Sequence, residues 1–158
     1  LADSRFVARR IGTIFSLLCA SPAYLEKYGE PESLDDLQKH ACLRLVNPSI
    51  TPQWHLVREN SCSYQIDITG QLIADTPELL LDMVQQDMGI ALLPTFAVIE
   101  AIRTGRLRRV LADWRSPDIG VYTLLPSRHF IDAKTRAWLT WVEQHISPKI
   151  QSDTDYFL

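Results

Sequence analysis

The sequence has no excess of positive charge. Its 16 Lys and Arg stand against 19 Asp and Glu, for a formal net charge of −3. A segment that grips DNA by itself needs clustered cations to neutralise phosphates, so direct DNA binding by these residues is not expected. No apolar run approaches the roughly 18 residues that span a bilayer, so no membrane partner is expected. Glycine is scarce, at six residues, which leaves little material for a nucleotide-cradling loop. There is no Gly-x-Ser-x-Gly, no phosphate-binding Gly-rich loop and no His-Glu-x-x-His. The expectation is a protein that is not an enzyme and carries no cofactor. The three cysteines, Cys19, Cys42 and Cys62, are odd in number and widely spaced. They suit reduced thiols in a cytoplasmic protein better than a disulfide framework. They form no Cys-x-x-Cys, and His40, Cys42 and His55 match no standard metal spacing. An initiator Met and a signal peptide are also missing: the chain opens on Leu1-Ala2-Asp3-Ser4 and runs straight into an apolar segment. That start is read as the cut edge of a longer protein.

Hydrophobic residues make up 46% of the 158, enough for one ordinary domain or two small lobes with a sizeable core. Residues 6–10 and 13–20 read as strands separated by Gly12. Ser21-Pro22 then reads as an N-cap with proline at the first helical position, and the short helix carrying Tyr24, Leu25 and Tyr28 stops at Gly29. Ser33 with Asp36 three residues on forms a capping-box pattern for a second short helix ending near His40. Short strand candidates follow at 42–46, 53–57, 63–68 and 71–74, punctuated by Asn47, Pro48 and Gly70.

The clearest segment comes next. Thr76 caps, Pro77 sits at N1, Glu78 adds first-turn charge, and Leu80, Met83, Val84 and Met88 recur at helical spacing before Gly89. Ile90 to Leu93 is a continuous apolar run, as in a buried parallel strand. Pro94-Thr95 opens a helix to about Thr104. Residues 107–111 and 121–125 read as strands. Asp132 caps a last helix with Ala137, Trp138, Trp141, Val142 and His145 on its apolar face, stopped by Ser147-Pro148. Residues 151–158 read as a frayed, disordered tail. Alternating strands and helices give an α/β fold with a mostly parallel or mixed sheet.

Free N–H groups and the positive dipole end of a helix attract anions, so the Asp75-Thr76-Pro77 helix start is the leading candidate site. A plain N-cap satisfies the same pattern. Thr95 starts a helix directly after a parallel strand, where ligands of α/β sheets bind, although a cap explains it equally. Arg9 and Arg10 are candidates for a charged clamp on an acid. Five arginines within thirteen residues (Arg103, Arg106, Arg108, Arg109 and Arg115) have no interleaved aromatics and read as a solvated face.

A series of landmarks in order adds to this. Ala20-Ser21-Pro22-Ala23-Tyr24-Leu25 is followed by Gly29, Pro31, Asp36-Leu37, His40 and Cys42-Leu43. Then come Ala74-Asp75-Thr76, Met83-Val84, and Gly89-Ile90-Ala91-Leu92-Leu93-Pro94. Gly105, Leu107, Val110-Leu111 and Trp114 precede Leu125-Pro126-Ser127-Arg128, Lys134, Arg136-Ala137 and Trp141. The series resembles the effector-binding domain of LysR-type transcriptional regulators, over about residues 6–146. The resemblance implies a periplasmic-binding-protein-like (type II) fold of two Rossmann-like lobes, the first incomplete. Residues 1–20 and 121–150 would be what remains of the first lobe and 21–118 the second, with crossings near 18–21 and 118–121. It implies a small organic anion, aromatic acids among the candidates, held between the lobes. Ser21 at the first crossing and Thr76 would face it. It also implies a homodimer or tetramer, and DNA contact only through a winged helix-turn-helix absent from this chain. A transporter's solute-binding protein and a fragment of a lyase of similar fold stay open as alternatives.

Overall fold

The computed structural model describes residues 7–45, 53–58, 62–68, 72–125 and 132–158. The expectations for Phe6, Val46, Asn47, Pro48, Gly70, Gln71 and 126–128 lie outside the described residues. In chain order the elements are β1 (Val7–Ile14), β2 (Ser16–Ala20), α1 (Pro22–Tyr28), a 3-10 turn (Leu34–Lys39), β3 (Cys42–Leu45), β4 (Gln53–Arg58), β5 (Cys62–Asp67), β6 (Ile73–Ala74), α2 (Pro77–Gln85), β7 (Ile90–Pro94), α3 (Thr95–Arg103), β8 (Arg108–Arg109), β9 (Trp114–Arg115), β10 (Ile119–Leu125) and α4 (Ala133–Asp155). The chain divides into two compact units, Leu1–Ile14 with Asp118–Leu158, and Phe15–Pro117.

The smaller unit pairs β1 antiparallel with β10 and packs α4 on β1. Gly12 was expected to separate two strands. Instead β1 runs through it, with a register shift between Arg10 and Gly12. A Cβ on Gly12 would lie 2.6 Å from Ile150 Cγ2, so glycine here admits the helix rather than ending the strand. α4 also exceeds its expected end. It passes Pro148, which removes one helical N–H, and continues to Asp155. The expected frayed tail is therefore helical as far as Asp155. Thr154 Oγ1 donates to the Thr13 carbonyl at 3.0 Å, and Lys149 pairs with the buried Asp153 carboxylate at 3.0 Å. The buried side of α4 carries Leu139 and Val142, while Trp138 and Trp141 are half exposed. The expectation that these tryptophans fill a core is thus corrected. Trp141 stacks on His145 at 4.9 Å, one helical turn on.

The larger unit is a mixed sheet in the order β5-β4-β9-β2-β7-β3-β6, with β8 also on β2. β3 pairs parallel with both β7 and β6, while β2 pairs antiparallel with β7. Every residue of β2 is buried, so both faces of the sheet are covered. One face gathers Leu18, Tyr24, Leu25, Leu37, Cys42, Leu56 and Ile90 under α1 and the 3-10 turn. The other takes the Leu80–Val84 side of α2, a pair at (i, i+4) spacing, and Val98 of α3. Each fully buried Leu contributes about 1.5–3 kcal/mol.

The first boundary between the two units lies at Ile14/Phe15, because β2 belongs to the larger sheet from Ser16 onward. The second lies at Pro117/Asp118. Several strand spans also change. The expected 13–20 strand breaks at Phe15 between β1 and β2, the expected 107–111 strand shortens to β8, the expected 121–125 strand begins at Ile119, and β9, which the sequence reading missed, pairs with β2 and β4.

Candidate functional site at the carboxyl edge of the sheet

The parallel register sets the site. Cys42 and Leu43 lie level with Ile90 and Ala91, and Arg44 and Leu45 with Ile73 and Ala74. β3, β6 and β7 therefore end on the same edge of the sheet. Two helices start from that edge, α2 after β6 and α3 directly after β7. In such sheets ligands bind beyond the strands' carboxyl ends.

Thr76 is the N-cap of α2. Its backbone is extended, and its Oγ1 accepts from the Leu79 amide at 3.3 Å. That bond uses a lone pair and leaves the hydroxyl proton free to donate outward. Asp75 and Thr76 are exposed, and Pro77 holds N1. α3 is built differently. Its N-cap is Pro94, which has no side-chain acceptor to offer, so the first-turn amides lack a side-chain cap. Thr95 is fully buried. Its amide donates to the Phe15 carbonyl at 2.9 Å, while its Oγ1 has no partner. The antiparallel β2 begins on this edge too, Ser16 lying opposite Pro94. The Ser16 amide donates to Ser116 Oγ at 2.8 Å, and the Ser116 amide returns a bond to the Ser16 carbonyl at 2.9 Å.

Of the residues singled out from sequence, the structure thus brings Asp75, Thr76, Pro77 and Thr95 to one edge. Ser21 goes to the other. It follows the last residue of β2, whose Cys19 lies level with Ala91 near the start of β7. Strand direction thus sets Ser21 apart from Thr76 and Thr95. Ser21 is buried, accepts from the Tyr24 amide at 3.1 Å and donates to Asp87 Oδ1 at 2.5 Å. Arg9 and Arg10 belong to the smaller unit. Arg9 pairs with Glu143, and Arg10 donates to Thr13 Oγ1.

The amino edge around Ser21 is internally satisfied. Tyr24 Oη accepts from the Ala41 amide at 3.0 Å and lies 3.1 Å from His40 Nδ1. Burial is the first cause that holds the His40 pKa below its ordinary value; nearby Asp36 opposes it. The two described thiols are inert: burial pushes both Cys19 and Cys42 up to about 12. The arginine-rich segment is tied to its own unit. Arg108 pairs with Glu30 at 2.9 Å, Arg106 donates to Thr104, and Arg115 lies 4.6 Å from the Phe15 ring centroid.

One residue of the carboxyl edge was passed over in the sequence. Arg44 is a cation inside the apolar strand Cys42-Leu43-Arg44-Leu45, one residue from its end. A charge in a strand that has a partner on each side is the signal that marks it.

Residues 1–147 match the family described as LysR substrate binding domain. An HTH-type transcriptional regulator of Xanthomonas campestris pv. campestris is 28% identical over 162 residues, covering all of this chain and 46% of that protein. The regulatory domain of CrgA, a LysR-type transcriptional regulator from Neisseria meningitidis, is 27% identical with a TM-score of 0.80, over 91% of this chain and 70% of that one. Full-length AphB, the Vibrio cholerae virulence activator, is 26% identical with a TM-score of 0.80, over 90% of this chain and 49% of that one. The chain thus spans about half the length of the curated relatives it matches.

Proposed function

The chain belongs to the LysR substrate-binding domain family, and we propose that it senses a small organic acid for a transcription regulator. The fold class expected from sequence, that of LysR-type regulatory domains, is shown by these likenesses. The observation that carries the ligand reading is the convergence of two helix starts, at Thr76 and Thr95, on the carboxyl edge of the parallel strands. Uncapped amides and a free hydroxyl proton are donors, and the chemistry they accept is an anion. Each such contact contributes about 0.3–1 kcal/mol when exposed and up to about 2 kcal/mol when partly buried. An acid bound here biases the association of paired domains, and a coupling of about 1–3 kcal/mol suffices to change how the regulator sits on DNA.

The two compact units are proposed to be the family's two lobes, the smaller one incomplete. DNA contact is assigned to a winged helix-turn-helix outside these 158 residues, the assembly to a homodimer or tetramer, and the location to the cytoplasm. Among the described residues no helix is long and apolar enough to cross a membrane. The outward-facing, half-exposed Leu79 of α2 suits that helix to an interface between copies. The relatives named above are regulators, which favours this reading over a transporter's solute-binding protein or a lyase of similar fold.

The test uses the full-length regulator. Thr76→Ala removes the hydroxyl that caps the helix and donates to the acid, whereas Thr76→Ser keeps it. The expected result is about fivefold to tenfold weaker binding of a carboxylate effector by Thr76→Ala, with Thr76→Ser near wild type. Equal affinity in all three removes Thr76 from the site.

A further inference from the structure

Among the buried side-chain polar atoms without a hydrogen-bond partner are Arg44 Nε and Thr95 Oγ1. They lie at the ends of β3 and β7, which pair directly. Native proteins rarely bury an unpaired donor, and those they keep call for an acceptor absent from the protein itself.

Charge points the same way. The α2 helix start offers a partial positive charge of roughly half a unit. Asp75 and Glu78 place two carboxylates on either side of it. An organic anion approaching Thr76 therefore needs a full cation nearby, and the first turn of α2 contains none. Arg44 lies level with Ile73, two residues before Asp75, on the strand that pairs with β6. Its guanidinium offers a planar fork of donors matched to a carboxylate. Arg9 and Arg10, the clamp suggested by sequence, have partners within their own unit.

We propose that Arg44 is the cation that receives the effector's carboxylate at the carboxyl edge of this sheet, and that its guanidinium confines the site to acids. The proposal rests on the reading of that edge as the effector site. It makes Arg44 the residue that discriminates an acid from the amide or ester of the same shape, since a neutral analogue leaves the guanidinium unpaired. It also accounts for an arginine in an apolar strand, where an aliphatic residue would serve the fold better.

The test follows thermal unfolding of the chain with acetate, benzoate and succinate, against acetamide and benzamide, at matched ionic strength. NMR of the Arg44 Nε–H signal is recorded in the same titrations. Wild type is expected to be stabilised by at least one acid and by neither amide, with the Arg44 Nε–H signal moving on acid titration. Arg44→Met is expected to lose that stabilisation, through affinity roughly tenfold to a hundredfold lower, and to melt higher than wild type without ligand. Arg44→Lys keeps the charge without the fork and is expected to fall between them. If an acid moves the Thr76 and Phe96 amides while the Arg44 signal stays still and Arg44→Met binds equally well, the site stands and the role of Arg44 is overturned. If no acid stabilises wild type or moves any of these signals, the reading of this edge as an acid site falls, and the proposal with it. The NMR arm decides the matter even if Arg44→Met fails to fold.

Discussion

The sheet of the larger unit has two ends with opposite hydrogen-bond economies. At its amino edge, Ser21 donates to Asp87, Tyr24 links His40 to Ala41, and the Ala41 carbonyl accepts from Ile90 at 2.8 Å. At its carboxyl edge, Thr76 has a free proton, α3 has no side-chain cap, and Arg44 Nε and Thr95 Oγ1 are unpaired. Both ends have the same kinds of residue, hydroxyls at helix starts beside strand ends. What separates them is whether the protein supplies the partner. A closed end holds the fold together, while an open one waits for something from outside.

The largest effect is expected at the closed end. Gly89 has φ of +154°, and a Cβ there would lie 2.1 Å from the Ala41 carbonyl oxygen. Backbone cannot yield as a flexible side chain does, so Gly89→Ala should cost about 3 kcal/mol of stability in denaturant unfolding. A cost under about 1 kcal/mol would mean that this end is slack. Tyr24→Phe comes next. It strands the Ala41 amide and leaves His40 Nδ1 without its partner, and should cost about 2 kcal/mol. Thr76→Ala, at the open end, should cost only the cap, about 1 kcal/mol, while its effect on acid binding exceeds that of any closed-end change.

The smallest effect is a pH dependence. His40 has a folded pKa below its ordinary 6.5. The unfolded chain therefore binds the proton more readily, and the contribution of His40 is fully present above about pH 6.5 and declines as pH falls toward the lower folded value. His40→Gln should flatten stability against pH across that window. An unchanged profile would show that the Tyr24–His40 bond does not couple to folding.

The legible parts of this molecule were local. The Thr76-Pro77-Glu78 start of α2 and the Ser21 cap depend on residues three or four apart and stand in the structure as read, while the Ser33–Asp36 pattern opens a 3-10 turn rather than the expected helix. What escaped depended on distant partners. That Ser21 lies on the edge opposite Thr76 and Thr95 escaped because only the antiparallel register of β2 against β7 reveals which way that strand runs. Gly12 looked like a break because Ile150, which occupies the space of its absent side chain, is more than a hundred residues away. Pro148 looked like a stop, yet Thr154 and Asp153 hold the last turns of α4. Trp138 and Trp141 looked like core because hydrophobicity alone does not say which side of a helix meets a sheet. Arg44 was passed over for a further reason: its charge within an apolar strand is legible, but its missing partner is not recorded in the sequence.

The most direct measurement maps amide and Arg Nε–H chemical shifts as an organic acid is titrated into the protein. The account predicts movement at Thr76, Leu79, Phe96 and Arg44, with Ser21, Tyr24, Ala41 and Asp87 still. Movement centred on Ser21 and Tyr24 instead, or on neither edge, would contradict it.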